Sequence, residues 1–160
     1  MGKRLFYYRK GDYNMLKEKL LQDLKECMKE KNTVRKNVIQ MVRASILQVE
    51  KDKQIEVNDD QILEIIAKES KKRKDSLVDY EKSGREDLIE QIKEEIEILA
   101  EYLPKPLTKE ELEEIISSAI ADTGATTIKD MGKVMKEVKQ RVGTRADGKT
   151  INEIVKEKLA

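Results

Sequence analysis

From Leu16 onward the apolar residues fall into stripes with helical spacing. Leu16, Leu20, Leu21, Leu24 and Met28 share one face of a first helix. Asn32 or Thr33 breaks and re-caps the chain, and a second stripe follows at Val34, Val38, Met41, Val42, Ser45, Ile46 and Val49. So short a connection predicts an antiparallel hairpin. Asn58 with Gln61 has the spacing of a capping box, and Val57 and Ile62 that of a hydrophobic staple. The helix they open carries Ile62, Ile65 and Ile66, runs through the basic KESKKRKDSL, and continues with Leu77 and Tyr80. Ser83 and Gly84 interrupt, and a fourth helix carries Leu88, Ile92, Ile96 and Leu99. Nowhere do apolar and polar residues alternate cleanly at the period of a strand, so the pattern predicts an all-α fold.

Pro104 and Pro106 cannot lie inside a helix, and each biases the residue before it toward extended geometry. They predict a hinge between an N-terminal helical domain over 15–103 and a small C-terminal helical domain over 107–160. In the latter, Thr108 and Glu111 cap a helix carrying Leu112, Ile115, Ile116, Ala119 and Ile120, and Gly124 follows it. Thr127 and Asp130 precede the stripe Met131, Val134, Met135, Val138 and Val142. Gly143 ends that helix, and Thr150 with Glu153 predicts the cap of a last one carrying Ile151, Ile154, Val155 and Leu159. Residues 1–14, MGKRLFYYRKGDYN, lack helical periodicity and hold the single Phe and three of the five Tyr. They read as a translated leader ahead of a natural start at Met15, with a genuine basic, aromatic arm as the rival reading.

Composition narrows the chemistry. Among 160 residues there is no His and no Trp, which removes histidine triads and histidine metal sites. Cys27 is the single cysteine and reads as a packing residue. The serines have no histidine to activate them, and GTRADGK lacks both P-loop spacing and a preceding strand. No catalytic residue, metal site or cofactor is expected. No apolar run has the length of a membrane span and no signal-peptide core is evident, so the expectation is a cytoplasmic protein without membrane contact.

Net charge is only +1, yet between Lys129 and Lys158 nine basic residues face five acidic ones. Gly132 sits within a helix, where glycine costs roughly 1 kcal/mol relative to alanine. Two readings compete. Gly132 permits close helix packing beside a solvated lysine face, or else a nucleic-acid backbone lies along the flank of Gly132, Lys133, Lys136 and Lys139. In the second reading the turn around Arg145, Asp147, Gly148 and Lys149 adds cations and free N–H groups. Lys71, Lys72, Arg73 and Lys74 form a possible second basic surface, although Leu77 and Tyr80 suggest that the segment also packs.

DMGKVMKEV followed by GTRADGKTINEIVKEKL resembles the tail domain of the GatB subunit of tRNA-dependent amidotransferases. KKRKDSLVDYEKSGREDLIEQIKEEIEILAEYLPKPLTKEEL is similar to the free-standing, bacterial-type YqeY-like proteins. The resemblance runs from Met15 to Ala160 and implies two helical subdomains. It also implies backbone and shape contact with tRNA through Gly132, Lys133, Lys136, Arg145, Asp147, Gly148 and Lys149. An aminoacyl-tRNA synthetase or amidotransferase becomes an expected protein partner in translation. The family label of carbon–nitrogen ligase with glutamine as donor describes an association, since the catalytic core of GatB has no counterpart here. The function expected is a non-catalytic tRNA-binding accessory protein, with a protein-docking module as the alternative.

Overall fold

This computed structural model describes residues 15–160; the leader reading of residues 1–14 falls outside them. Among the described residues there are seven α-helices and two short 3-10 turns, with no strand, so the fold is all-α. The chain divides into two compact units, the first closing at Leu103 and the second spanning Pro104–Ala160.

The first unit holds α1 (Met15–Glu30), α2 (Thr33–Lys53), α3 (Asp59–Ser83) and α4 (Glu86–Ala100). Lys31 takes a left-handed conformation at φ 57°, and the Asn32 side chain accepts the Arg35 N–H at 3.1 Å, so α1 turns directly into α2. Asn58 and Gln61 exchange two hydrogen bonds of 2.9 Å and start α3. Gly84, at φ 71°, ends α3 in the left-handed geometry that glycine adopts without strain.

Leu16, Leu20, Val38, Ile39, Ile62, Ile66 and Leu99 lie at the centre of this unit's core. Each such side chain contributes about 1.5–3 kcal/mol when fully removed from water. Buried Asp59 accepts the Leu16 N–H at 3.2 Å and so holds the first turn of α1 against α3. Tyr102 is buried beyond the end of α4, and its hydroxyl donates to Asp23. Burial first, then that bond, pushes the Tyr102 phenol well above its ordinary range. Cys27 is buried in the core, and its burial raises the thiol pKa.

Three residues of the expected stripes lie outside. Leu21, Met28 and Met41 are exposed, because each sits at the edge of its helix's apolar arc and the facing helices close over the other edge.

The second unit holds α5 (Lys109–Thr123), α6 (Met131–Val142) and α7 (Gly148–Leu159). Thr108 and Glu111 exchange bonds of 3.2 Å at the start of α5. Ile116, Ala119, Val134, Val138, Ile151 and Val155 meet in its core. Gly143 ends α6 at φ 57°. The Leu107 N–H donates to the Arg145 carbonyl at 2.9 Å, which pins the start of the unit to the corner between α6 and α7. The last helix begins at Gly148, two residues before the expected cap at Thr150.

Candidate basic surface on the second unit

The apolar arc of α6 is consumed by the core: Val134, Val138 and Val142 are fully buried, and Met131 and Met135 pack partly against them. What remains outward is fixed by the 3.6-residue period. The exposed positions of α6 are Gly132, Lys133, Lys136, Lys139 and Gln140, three cations and no anion. Exposed Lys129 precedes them, and beside it Ile128 leaves 47% of its surface in solvent.

Asp130, at the start of this face, accepts the Thr126 and Thr127 N–H groups at 3.0 and 3.3 Å. These bonds, more than nearby Lys133, lower its pKa. Its charge is thereby turned toward the backbone. Lys129, Lys136, Lys139 and Lys149 take no part in any ion pair seen among the described residues.

Gly132 is open. Among the described residues, a Cβ added there would meet nothing within 4 Å, so no described helix requires a glycine. The close-packing reading of Gly132 is therefore incorrect.

The two arginines of the corner are engaged by partners within the unit. Arg145 donates to the Val142 carbonyl at 3.2 Å and the Arg141 carbonyl at 2.9 Å, closing the last turn of α6 with its own side chain. It is a cap, and the structure does not array it with the lysines. Arg141 bonds Glu137 on its own helix and Asp122 on α5, at 3.0 and 2.7 Å. Those bonds raise its pKa. Asp147 caps the backbone start of α7, and exposed Gly148 and Lys149 form that helix's first turn, not a free loop.

The KKRK run is also divided. Arg73 is buried and pairs with Glu69 at 3.0 Å and with Glu95 of α4 at 3.3 Å. Lys72 lies 3.5 Å from Glu69, while Lys71 and Lys74 are exposed. The run is thus one buried tie between helices flanked by surface lysines. The helical period already places Lys129, four residues before Lys133, on this outward face, although the candidate site did not include it; Ile128 beside it is the residue that sequence reasoning missed.

Elsewhere an open groove of about 390 Å³ lies between α2 and α3, with Ser45, Gln48, Glu64 and Lys68 on its walls. No group of three or more potential metal ligands gathers among the described residues, and no described helix is long and apolar enough to cross a membrane.

Residues 17–159 match the Yqey-like protein family. The chain belongs to that family. It is also similar to three fungal proteins named Altered inheritance of mitochondria protein 41, mitochondrial. The protein of Pyrenophora tritici-repentis is 28% identical over 89% of this chain and 82% of its own length. That of Kluyveromyces lactis is 39% identical over 52% of this chain and 45% of its own length. That of Candida glabrata is 33% identical over 62% of this chain and 56% of its own length.

These relatives correct the function expected from the amidotransferase resemblance. They are fungal and not bacterial, and their name speaks of mitochondrial inheritance, not of tRNA, amidotransferases or translation. The tRNA-binding accessory role and its synthetase-docking alternative are set aside. All three relatives are named as mitochondrial.

Proposed function

We propose that the chain is a mitochondrial binding protein whose second unit docks on an anionic membrane surface through α6. The observation that supports this is the division of labour among its cations: Arg141 and Arg145 are bonded internally, and the charged residues on the exposed arc of α6 are all lysines. A guanidinium recognises phosphate by planar, bidentate geometry, whereas a lysine is a mobile point charge. A flat group of lysines suits a diffuse layer of lipid headgroups, and Ile128 offers an apolar contact beside it. The mitochondrial setting comes from the relatives' name. No membrane contact was expected from the lack of an apolar span, but peripheral docking needs none.

Co-sedimentation with phosphatidylcholine vesicles, with and without anionic lipid, tests the reading. Binding should require the anionic lipid and fade with added salt. Each lysine near such a surface contributes about 1 kcal/mol, so Lys136→Gln with Lys139→Gln should lower partitioning on the order of 30-fold. Helix content should be unchanged, since both side chains are exposed. Equal binding to neutral vesicles, or none to anionic ones, refutes the proposal.

A further inference from the structure

The surface of α2 departs from the rest of the molecule. Its exposed positions between Lys36 and Glu50 are Asn37, Gln40, Met41, Ala44, Leu47 and Gln48, none of them charged. On α3, ten of the twelve exposed positions are charged. The contrast lies in a chain of which 41% is charged, so it is not a matter of composition. Met41 and Leu47 leave 46% and 64% of their surfaces in solvent among the described residues.

The pattern is nearly its own reverse. Ala44 stands at the centre, apolar Met41 and Leu47 lie three residues to either side, and Gln40 and Gln48 lie four to either side. We infer that this face of α2 pairs antiparallel with the same face of a second copy of the chain, with Ala44 at the two-fold axis. The small side chain at the axis lets two helices approach. In that register Met41 of each copy packs beside Gln48 of the other, and Leu47 beside Gln40. A face without charge meets itself without repulsion, and an isologous contact requires just such a self-complementary patch. Arg73 donates to the Met41 sulfur at 3.0 Å, holding one of the two apolar anchors in place.

From Asn37 to Gln48 the stripe is about 17 Å long. That falls short of the roughly 800 Å² per partner of a standard stable interface, so the association is a weak, concentration-dependent one.

Sedimentation equilibrium of the full chain, from micromolar to millimolar, reads the self-association. Dimer should accumulate with concentration, and Ala44→Glu should weaken it about a hundredfold at unchanged helix content, since Ala44 is exposed. Gln40→Leu with Gln48→Leu should strengthen it. Site-specific linking fixes the direction. With a short bismaleimide on a Cys27→Ala background, Ala44→Cys should link to its own copy. Asn37→Cys should not, because antiparallel pairing holds the two Asn37 positions about 21 Å apart. Equal linking at both positions would indicate parallel or nonspecific contact and overturn the inference. A chain that stays monomeric at every concentration, leaving the face to a different protein, overturns it as well.

Discussion

Arg73 and Arg141 are built alike and situated differently. Each pairs with a glutamate one helical turn before it, Glu69 and Glu137, and each reaches an acid on a neighbouring helix, Glu95 of α4 and Asp122 of α5. The Arg73 side chain is 10% exposed and that of Arg141 29%, with Asp122 at 61%. The same motif is therefore an internal tie in the first unit and a surface brace in the second. The difference extends to the cores. The buried polar residues Asp59, Glu69, Ser70 and Arg73 all belong to the first unit, whereas the buried residues of the second are apolar. The first unit turns its electrostatics inward and leaves an uncharged face on α2; the second keeps a dry core and turns its lysines outward.

The largest expected effect separates the two arginines. Arg73→Ala strands Glu69 and Glu95 at a site water reaches poorly and should cost about 3–5 kcal/mol, read as a fall in the urea midpoint of the first unit. Arg141→Ala should leave the second unit's midpoint nearly unchanged, because its partners remain solvated. Equal losses at both sites would erase the distinction between tie and brace.

A middle-sized effect tests the first unit's buried polar contacts by pH. Tyr102 holds its proton more firmly when folded than when unfolded. Below the unfolded pKa of about 10 both states carry the proton, and the contribution is complete. Above it the unfolded chain loses the proton first, so stability falls by up to about 1.4 kcal/mol per pH unit until the folded group also ionises. Denaturation from pH 9 to 11 should show this decline, and Tyr102→Phe should reduce it. At neutral pH the same substitution should cost about 0.5–1.5 kcal/mol through loss of the bond to Asp23.

The smallest effect has the opposite sign. Gly132→Ala places a methyl in open space in the first turn of α6 and should stabilise the second unit by about 0.5 kcal/mol. A lower melting temperature would mean that something outside the described contacts requires the glycine.

Much of the local architecture was legible because its causes are local. The capping pairs at Asn58 and Thr108 and the left-handed glycines at 84, 124 and 143 each need only a few neighbouring residues. What depends on partners distant in sequence was not legible. Leu77 and Tyr80 suggest that the KKRK segment packs, but which of its four cations turns inward was hidden because Glu95, which draws Arg73 in, lies 22 residues away on α4. Met41 looked like core because helical period alone does not say how wide an arc the neighbours cover. The basic loop predicts an outward Arg145, although the carbonyls it satisfies are those of the turn directly before it. That contact is local, but a long, flexible arginine side chain can reach either solvent or the preceding carbonyls, and the sequence does not choose between them. The exposed arc of lysines on α6 was readable from the period; the anion it faces was not, since charge names a sign and no partner.

The bond from Leu107 to Arg145 makes the proline segment a tether with two attachments. Its end is fastened covalently to α5 and by one hydrogen bond to the corner that closes α6. Tension along residues 104–106 would therefore load both points at once. Whatever pulls on the segment acts on the corner at the end of the lysine-bearing helix, a mechanical route by which strain in the connector reaches the proposed docking face without passing through the core.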